Sequence, residues 1–283
     1  MPNAESFCRI LSLDGGGAKG FYTLGVLREI EAMVDCPLCQ RFELIFGTST
    51  GAIIATLIAL GYKVDEIHSI YKEHVPTVMG CRTRAARTKA LAHLTKVVYG
   101  DKTFADVKTG VGVVTAKWMT ERPMIFKGSV QQAHGSRGTF VPGFGVSIAD
   151  AVQASCSAFP FFLRKVVVTA AGDKIELIDG GYCANNPTLY AIADALVALK
   201  RNREDLRVIS IGVGVWLFAG SDDGGERAAA IYTLLGTAKL NDLNPESYLR
   251  YVLERIADHP INQIEELLPW NLLVKMPELR IAA

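Results

Sequence analysis

Residues 44–60 read LIFGTSTGAIIATLIAL and carry the strongest local signal for the fold. This stretch begins with a short apolar run typical of a buried strand, passes through a turn, and continues as an apolar run of helical length. The turn fits the pattern G-x-S-x-G, in which Gly47 and Gly51 permit a sharp strand-to-helix connection and Ser49 is held with its hydroxyl exposed. Ser49 is therefore a candidate nucleophile. The alternative interpretation is a helix N-cap in a turn without chemistry.

Strand-like and helix-like segments alternate on both sides of this stretch, which predicts an α/β fold with a mainly parallel central sheet and helices on both faces. The strands are predicted at 7–13, 43–47, 110–116, 123–127, 164–170, 174–178 and 206–212. The helices are predicted at 20–34, 52–60, 65–74, 83–97, 147–158 and 188–200. Residues 216–283 have a mostly helical pattern without a clear motif. Because no linker or internal repeat is visible, the sequence predicts one domain over residues 1–283.

Composition narrows the function classes. The chain has 283 residues, a formal net charge of +1 and 49% hydrophobic residues. This apolar content excludes a disordered chain, and the near-zero charge gives no reason to expect nucleic acid as a partner. Residues 44–62 carry no charge, but the GTSTG turn in their middle argues against a membrane-spanning helix. Residues 1–10 lack a basic patch followed by an apolar run, so we expect a cytoplasmic protein.

A second turn, DGGGAKG at 14–20, is rich in glycine and lies between the first predicted strand and helix. Such a run lets backbone N–H groups point into one small space, where they stabilise an anion or an oxyanion. A dinucleotide site is the alternative, but it needs a further strand that ends in an acidic residue, and here Asp35 follows the helix directly. We therefore expect the amides of Gly15, Gly16 and Gly17 to form an oxyanion hole.

The third motif is Asp179-Gly180-Gly181, just past a predicted strand. A carboxylate at the end of a strand is placed where the active sites of α/β folds form. It could accept the Ser49 proton directly, or orient a histidine that does so, and only His259 follows it in the chain. A Ser49–Asp179 dyad is the simpler hypothesis. A plain Asp-Gly turn is the structural alternative.

Together and in this order, the three motifs resemble those of the patatin-like phospholipase family: an oxyanion loop D-G-G-G-x-[RK]-G, an elbow G-x-S-x-G and a dyad acid D-G-[GA]. Two further stretches are similar to the family's, ASCSAFP at 154–160 and NNP at 185–187. The resemblance spans roughly residues 7–215 and implies a three-layer α/β/α fold, with Ser49 as the nucleophile and Asp179 as its base. The glycines that it implies as support for the elbow and the loops are Gly20, Gly47, Gly51, Gly180 and Gly181.

The reaction implied by this resemblance is the hydrolysis of acyl esters in phospholipids, of the phospholipase A type, without a metal or another cofactor. Some bacterial members with a similar glycine loop are anti-phage effectors that a cyclic nucleotide switches on and that degrade the host membrane. The resemblance thus implies a phospholipid membrane surface as a peripheral partner, at the inner face of the membrane, and a cyclic nucleotide as a candidate activator. No nucleotide motif occurs in the sequence, and no oligomeric state is predicted.

One segment of the chain is strongly basic. No acidic residue occurs between His74 and Gly100. Such a segment suits contact with anionic lipid headgroups or a phosphate-bearing activator, and its place after the elbow helix predicts a flap beside the active site. The alternative is an ordinary solvated helix. The candidate contact residues are Arg82, Arg84, Arg87 and Lys89.

Two rival functions stay open at this stage. One is an esterase of small soluble esters that uses Ser49, Asp179 and His259 as a triad. The other is a non-catalytic module whose glycine loop binds a nucleotide or phosphate.

Overall fold

The computed structural model describes residues 7–135, 137–212, 237–238, 241–256 and 259–275. Contacts divide the chain into two compact units, Met1–Val215 and Trp216–Ala283. The division falls where the motif-bearing part of the sequence was expected to end. A single domain over residues 1–283 stays a prediction.

The first unit is built on a mixed sheet with seven strands among the described residues, in the order β5-β6-β3-β2-β1-β7, with β4 paired to β3 off this path. Strands β7, β1, β2 and β3 are mutually parallel, whereas β4, β6 and β5 extend the sheet with antiparallel pairs. The mainly parallel centre that the sequence predicts is confirmed. The strands are β1 Cys8–Leu13, β2 Leu44–Thr48, β3 Gly110–Lys117, β4 Pro123–Lys127, β5 Lys165–Val168, β6 Lys174–Asp179 and β7 Leu206–Ile211.

Helices cover both faces of this sheet. The side chains of β1 alternate between the two faces of the sheet. Leu11 and Leu13 belong to the large core under α1, α3, α4, α5 and α6. Cys8 and Ile10 pack on the opposite face against α8. This alternation follows from the period of two along a strand and confirms the three-layer arrangement. The helices of this unit are α1 Gly20–Val34, α2 Leu38–Arg41, α3 Thr50–Leu60, α4 Val64–Gly80, α5 Arg84–Tyr99, α6 Ile148–Ser155, α7 Gly181–Ala184 and α8 Thr188–Ala193.

Helix α4 is longer than the sequence predicts, because it continues through Pro76 to Gly80 instead of ending near residue 74. Proline inside a helix removes one backbone hydrogen bond and normally ends the helix. Here Val75 and Val78 flank the proline and are both buried. The apolar burial of this last part offsets the lost bond, an effect of tertiary packing that propensity does not contain.

The predicted helix at 188–200 also differs, because α8 ends at Ala193 and is followed by a π-helical turn, Asp194–Ala198. The buried carboxylate of Asp194 accepts hydrogen bonds from the Lys127 ammonium at 2.5 Å and the Gln132 amide at 3.1 Å. A π-turn is a rare local distortion of a helix. In this protein it contains the buried acceptor of that polar cluster.

Strand pairing brings two distant segments together at one edge of β3. Thr48 at the end of β2 pairs with Val114, and Asp179 at the end of β6 pairs with the next residue, Thr115. Since β4 occupies the other edge of β3, β2 and β6 follow one another along the same edge. The residue after Thr48 therefore lies beside the carboxylate of Asp179.

The described residues of the second unit are mostly helical, as the pattern predicts, with α9 Pro245–Leu253, a 3₁₀ segment Ile261–Leu267 and α10 Pro269–Lys275. A small core holds them together, and the Tyr248 hydroxyl donates a 3.1 Å hydrogen bond to the Leu267 carbonyl. Within the described ranges of the whole chain, every helix is too short or too polar to cross a membrane. The uncharged span 44–62 forms β2 and α3.

Candidate active site

Ser49 occupies a strained turn between β2 and α3, with φ 53° and ψ −123°. A residue with a side chain rarely adopts a positive φ, and such strain is concentrated at functional sites. The flanking glycines are sterically required. A Cβ on Gly51 would overlap the Leu13 carbonyl, and a Cβ on Gly47 would overlap the backbone of Gly51. The strand, sharp turn and helix expected around this serine are thus all present.

A second serine holds this turn in place. The backbone N–H of Ser49 donates to the Ser155 Oγ at 2.9 Å, and the Ser155 hydroxyl donates to the Val114 carbonyl of β3 at 2.6 Å. Ser155 is fully buried at the end of α6. It belongs to the ASCSAFP stretch, which the sequence marked by resemblance alone, and its contribution is to fix the turn against the sheet.

Asp179 lies at the end of β6 with only 5% of its surface exposed. Its carboxylate accepts a hydrogen bond from the Gly181 N–H at 2.7 Å and lies next to the Ser49 side chain. Burial raises the pKa of Asp179 from 3.8 to about 6, while its interactions with Ser49 and with the Gly181 N–H lower it in part. In the described part of the chain no histidine is among the partners of this carboxylate. Serine and acid therefore meet directly.

A buried thiol adjoins the same serine. Cys156 follows Ser155 at the end of α6, and its thiol lies next to the Ser49 side chain. Burial, and then the charge of Asp179, raise the pKa of this thiol far above its usual range, so it stays protonated. No site role can be predicted for Cys156 from the sequence, because the residues around a cysteine in the chain do not show which residues contact it in space.

The NNP stretch anchors the glycine-rich turn. The Asn186 side-chain amide donates to the Asp14 Oδ1 and to the Ser210 hydroxyl, each at 2.8 Å. The Asn185 carbonyl accepts from the Gly15 N–H at 3.2 Å, and its amide donates to the Gly15 carbonyl at 3.2 Å. Burial raises the pKa of Asp14 to about 6. Two motifs about 170 residues apart in the chain thus form one polar network.

The three amides predicted as an oxyanion hole are not equivalent. The Gly15 N–H already donates a hydrogen bond to the Asn185 carbonyl. The Gly16 N–H donates to the Thr50 hydroxyl at 3.2 Å, and this hydroxyl can rotate away. No acceptor among the described residues takes the N–H of Gly17, which has φ +59°. The Gly17 carbonyl accepts from the Tyr71 hydroxyl at 2.6 Å. An oxyanion hole formed by all three amides stays a prediction.

Gly20, the last glycine of this turn, allows the Tyr71 hydroxyl to reach the Gly17 carbonyl. A Cβ at this position would overlap the hydroxyl end of Tyr71. Gly180 likewise packs against the Val114 backbone, where a Cβ would overlap the carbonyl. Both glycines therefore permit close packing around the site.

An apolar cavity of about 420 Å³ adjoins the serine. Helices α4 and α5 supply much of its wall, so the segment expected to form a flap does border the candidate site. Pockets of this size and character bind small or elongated apolar ligands. The lining residues are Gly17, Ser49, Thr50, Ile53, Val75, Val78, Met79, Arg87, Leu91, Leu94, Cys156, Ala158, Phe161 and Phe162.

The four basic candidates do not form one group. Arg82, Arg84 and Lys89 are exposed, whereas Arg87 is half-buried and lines the cavity. His259 lies in the second unit, where its Nε2 is 3.0 Å from the Gln263 carbonyl oxygen. The structure thus brings Ser49, Asp179 and the glycine loop together and separates Arg87 from the other three cations.

Comparison with known proteins gives separate matches in the two compact units of the chain. A family model described as patatin-like phospholipase matches residues 11–192, and a second model, described as the IS66 C-terminal element, matches residues 233–270. A cUMP-AMP-activated phospholipase of Escherichia coli is 73% identical over 212 residues, 75% of this chain and 66% of the relative. A cGAMP-activated phospholipase of Pseudomonas aeruginosa is 28% identical over 72% of this chain and 61% of the relative. The uncharacterized protein y4hP of Sinorhizobium fredii is 44% identical over 38% of this chain and 20% of its own length.

The coverage of these relatives is partial. The chain spans about two thirds of the length of the Escherichia coli relative and less of the other two. The match to the IS66 C-terminal element falls within the second unit.

Proposed function

Because the chain belongs to the patatin-like phospholipase family, we propose that it hydrolyses the acyl esters of membrane phospholipids and releases fatty acid, as a phospholipase A does. The observation that carries the proposal is the juxtaposition of Ser49, held in a strained turn, with the buried carboxylate of Asp179, which the register of β3 against β2 and β6 brings together. The adjoining apolar cavity supports a lipid substrate, because an acyl chain needs an apolar wall next to the nucleophile.

In the proposed reaction the Ser49 oxygen attacks the ester carbonyl while its proton passes to the Asp179 carboxylate. The carbonyl π electrons move to the oxygen, and the tetrahedral oxyanion is stabilised by backbone N–H groups at the glycine-rich turn. We assign Gly17 first, because its N–H is not engaged, and Gly16 once the Thr50 hydroxyl has turned away. The positive end of helix α3 stabilises the same charge.

Collapse of this intermediate breaks the ester C–O bond, and Asp179 returns its proton to the departing alkoxide. A water molecule then attacks the acyl-serine, gives its proton to Asp179, and the fatty acid leaves as Ser49 recovers its hydroxyl. The raised pKa of Asp179, about 6, suits both directions of transfer. A carboxylate with this pKa is ionised at neutral pH and is a stronger base than an exposed aspartate.

For the membrane we propose peripheral binding at its inner face through the mouth of the cavity. Phe161 and Met79 line the cavity and are also 61% and 49% exposed, so apolar surface continues from the wall to the outside. The guanidinium of Arg84 lies 5.9 Å from the centre of the Phe159 ring. Exposed cations near an apolar opening are suited to anionic headgroups above an acyl layer, and Arg82 and Lys89 are exposed on the same segment.

We also propose that a cyclic nucleotide controls the activity, as in an anti-phage effector. Support comes from two relatives, a cUMP-AMP-activated phospholipase and a cGAMP-activated phospholipase. The identity is high for the first, but the match leaves about a third of that relative uncovered. The activity assay therefore needs an arm with each of these two nucleotides.

The test is fatty-acid release from vesicles of mixed phospholipids, followed by mass spectrometry, with wild-type protein and with Ser49→Ala protein as the blank. Both are assayed alone and with cUMP-AMP or cGAMP. Release by wild-type protein and not by Ser49→Ala protein supports the proposal and identifies the headgroup and the acyl position. Equal release by Ser49→Ala protein would contradict the assignment of the nucleophile, and no release under any condition would contradict the substrate.

A further inference from the structure

We propose that Arg87 is a specificity-determining residue inside the cavity that binds the phosphodiester group of the lipid substrate. The inference rests on the proposed function and goes further, because it says which group of the substrate the cavity recognises besides the acyl ester. It also removes Arg87 from the set of cations that contact the membrane surface.

The position of Arg87 departs from the pattern of its helix. On α5 the residues that line the cavity are Arg87, Leu91 and Leu94, whose spacing of four and three places them on one face of a helix. Both leucines are buried, while Arg84 and Lys89 are exposed. An amphipathic helix would have an apolar residue at position 87, so the charge on this face needs a specific reason.

The Arg87 side chain is only partly satisfied by the protein. One of its nitrogens, Nη2, donates to the Cys81 carbonyl at 2.8 Å. Its Nε is buried and has no hydrogen-bond partner, and no carboxylate of the described residues forms an ion pair with it. Arginine stays protonated, and a donor shielded from water, as this Nε is, costs free energy until it meets an acceptor. An anion in the cavity would supply that acceptor and a counter-charge for the half-buried side chain.

The rest of the cavity indicates which anion this is. Apart from Arg87, the polar side chains of its wall are Ser49, Thr50 and Cys156, all at the end where the ester reacts. A ligand that fits has an apolar chain, an ester at Ser49 and a negative group at Arg87. A glycerophospholipid has all three, with its phosphodiester a few bonds from the acyl ester. The planar guanidinium matches two phosphate oxygens, and such a charge-assisted pair adds both affinity and orientation.

The kinetic test compares a phosphate-bearing substrate with a phosphate-free one, both short-chain and dispersed as monomers so that no membrane is involved. Dihexanoyl-phosphatidylcholine and dihexanoylglycerol share the same acyl esters. We expect Arg87→Gln to lower kcat/KM about 10- to 100-fold for the phospholipid and to change it less than about 3-fold for the diacylglycerol. Arg87→Lys keeps the charge and should recover part of the loss. The matched control is Arg203→Gln, an exposed arginine outside the cavity, with both rates unchanged.

Equal losses on the two substrates would overturn the inference, because they would show that Arg87 only stabilises the cavity, and unchanged rates on both would overturn it as well. A binding arm is independent of turnover. In Ser49→Ala protein, calorimetry measures the affinity for dihexanoyl-phosphatidylcholine, for inorganic phosphate and for hexanoate, with and without Arg87→Gln. We expect an affinity loss of about tenfold for the phospholipid alone. An Arg87-dependent site for inorganic phosphate without phospholipid binding would overturn the assignment to a lipid.

The two arms separate this inference from the proposed function. If wild-type protein hydrolyses neither ester while the phospholipid still binds through Arg87, the catalytic proposal fails and the assignment of Arg87 survives. If wild-type protein hydrolyses both esters and Arg87→Gln does not change their relative rates, the assignment of Arg87 fails and the catalytic proposal survives.

Discussion

Replacing Asp179 by Asn should stabilise the folded protein at neutral pH while it abolishes the proposed activity. The carboxylate is almost fully buried, and its pKa rises from 3.8 to about 6. At about 1.4 kcal/mol per pKa unit, this rise corresponds to a cost of about 3 kcal/mol for keeping the charged form in the folded state. Asparagine has nearly the same shape and can still accept the hydrogen bond from the Gly181 N–H at 2.7 Å, but it carries no charge.

The pH dependence distinguishes this cause from a packing effect. The folded state binds the Asp179 proton more tightly than the unfolded state, so the group adds to stability below pH 4, and this contribution is lost as the pH rises through about 6. The Asp179→Asn variant has no such loss. Its free energy of unfolding, relative to wild type, should therefore gain about 2 kcal/mol between pH 4.5 and pH 8.

The assay is urea unfolding of wild type and variant, each over residues 1–283, at several pH values, followed by circular dichroism. The second unit and Asp14, whose pKa also lies at about 6, are common to both proteins and cancel in the difference. A stability difference that does not depend on pH would show that the effect does not come from the charge of Asp179. A variant that is less stable than wild type at pH 8 would contradict the prediction too, because the buried charge would then be stabilising.

Four further predictions concern the same site. The kcat/KM of wild type for a soluble ester should fall about tenfold per pH unit below about pH 6, where Asp179 takes up its proton; a flat profile from pH 5 to 8 would exclude this base. His259→Ala should keep full esterase activity, measured on the same ester, whereas a loss of several orders of magnitude would favour the Ser-Asp-His triad. A fluorophosphonate probe should label wild-type protein and not the Ser49→Ala variant, as seen by intact mass, and unlabelled wild type would favour the binding module without catalysis. Gly51→Ala should unfold at a lower urea concentration and lose activity, because its Cβ overlaps the Leu13 carbonyl; wild-type behaviour would show that the turn can relax.

The elbow and the strands around it could be predicted because their signals are local. A buried strand, the GTSTG turn and an apolar helix follow each other without interruption at 44–60, and the structure has β2 and α3 there within two residues. The same holds for α1, which begins and ends where its apolar stripe does. The predicted end of helix α4 was wrong, because the burial of Val75 and Val78 around Pro76 depends on residues far away in the chain.

The three-layer α/β class and the candidates Ser49 and Asp179 can thus be predicted from the sequence, since each candidate lies in a motif that its immediate neighbours define. How these motifs combine depends on the tertiary structure. The register of β3 against both β2 and β6 places Asp179 next to Ser49, and a strand register between segments 130 residues apart has no local signal. Arg84 and Arg87 lie one helical turn apart on about the same side of α5, yet Arg87 lines the cavity and Arg84, the first residue of the helix, is exposed. This difference also depends on tertiary packing, because the sequence does not show where along the helix the neighbouring elements begin to cover it.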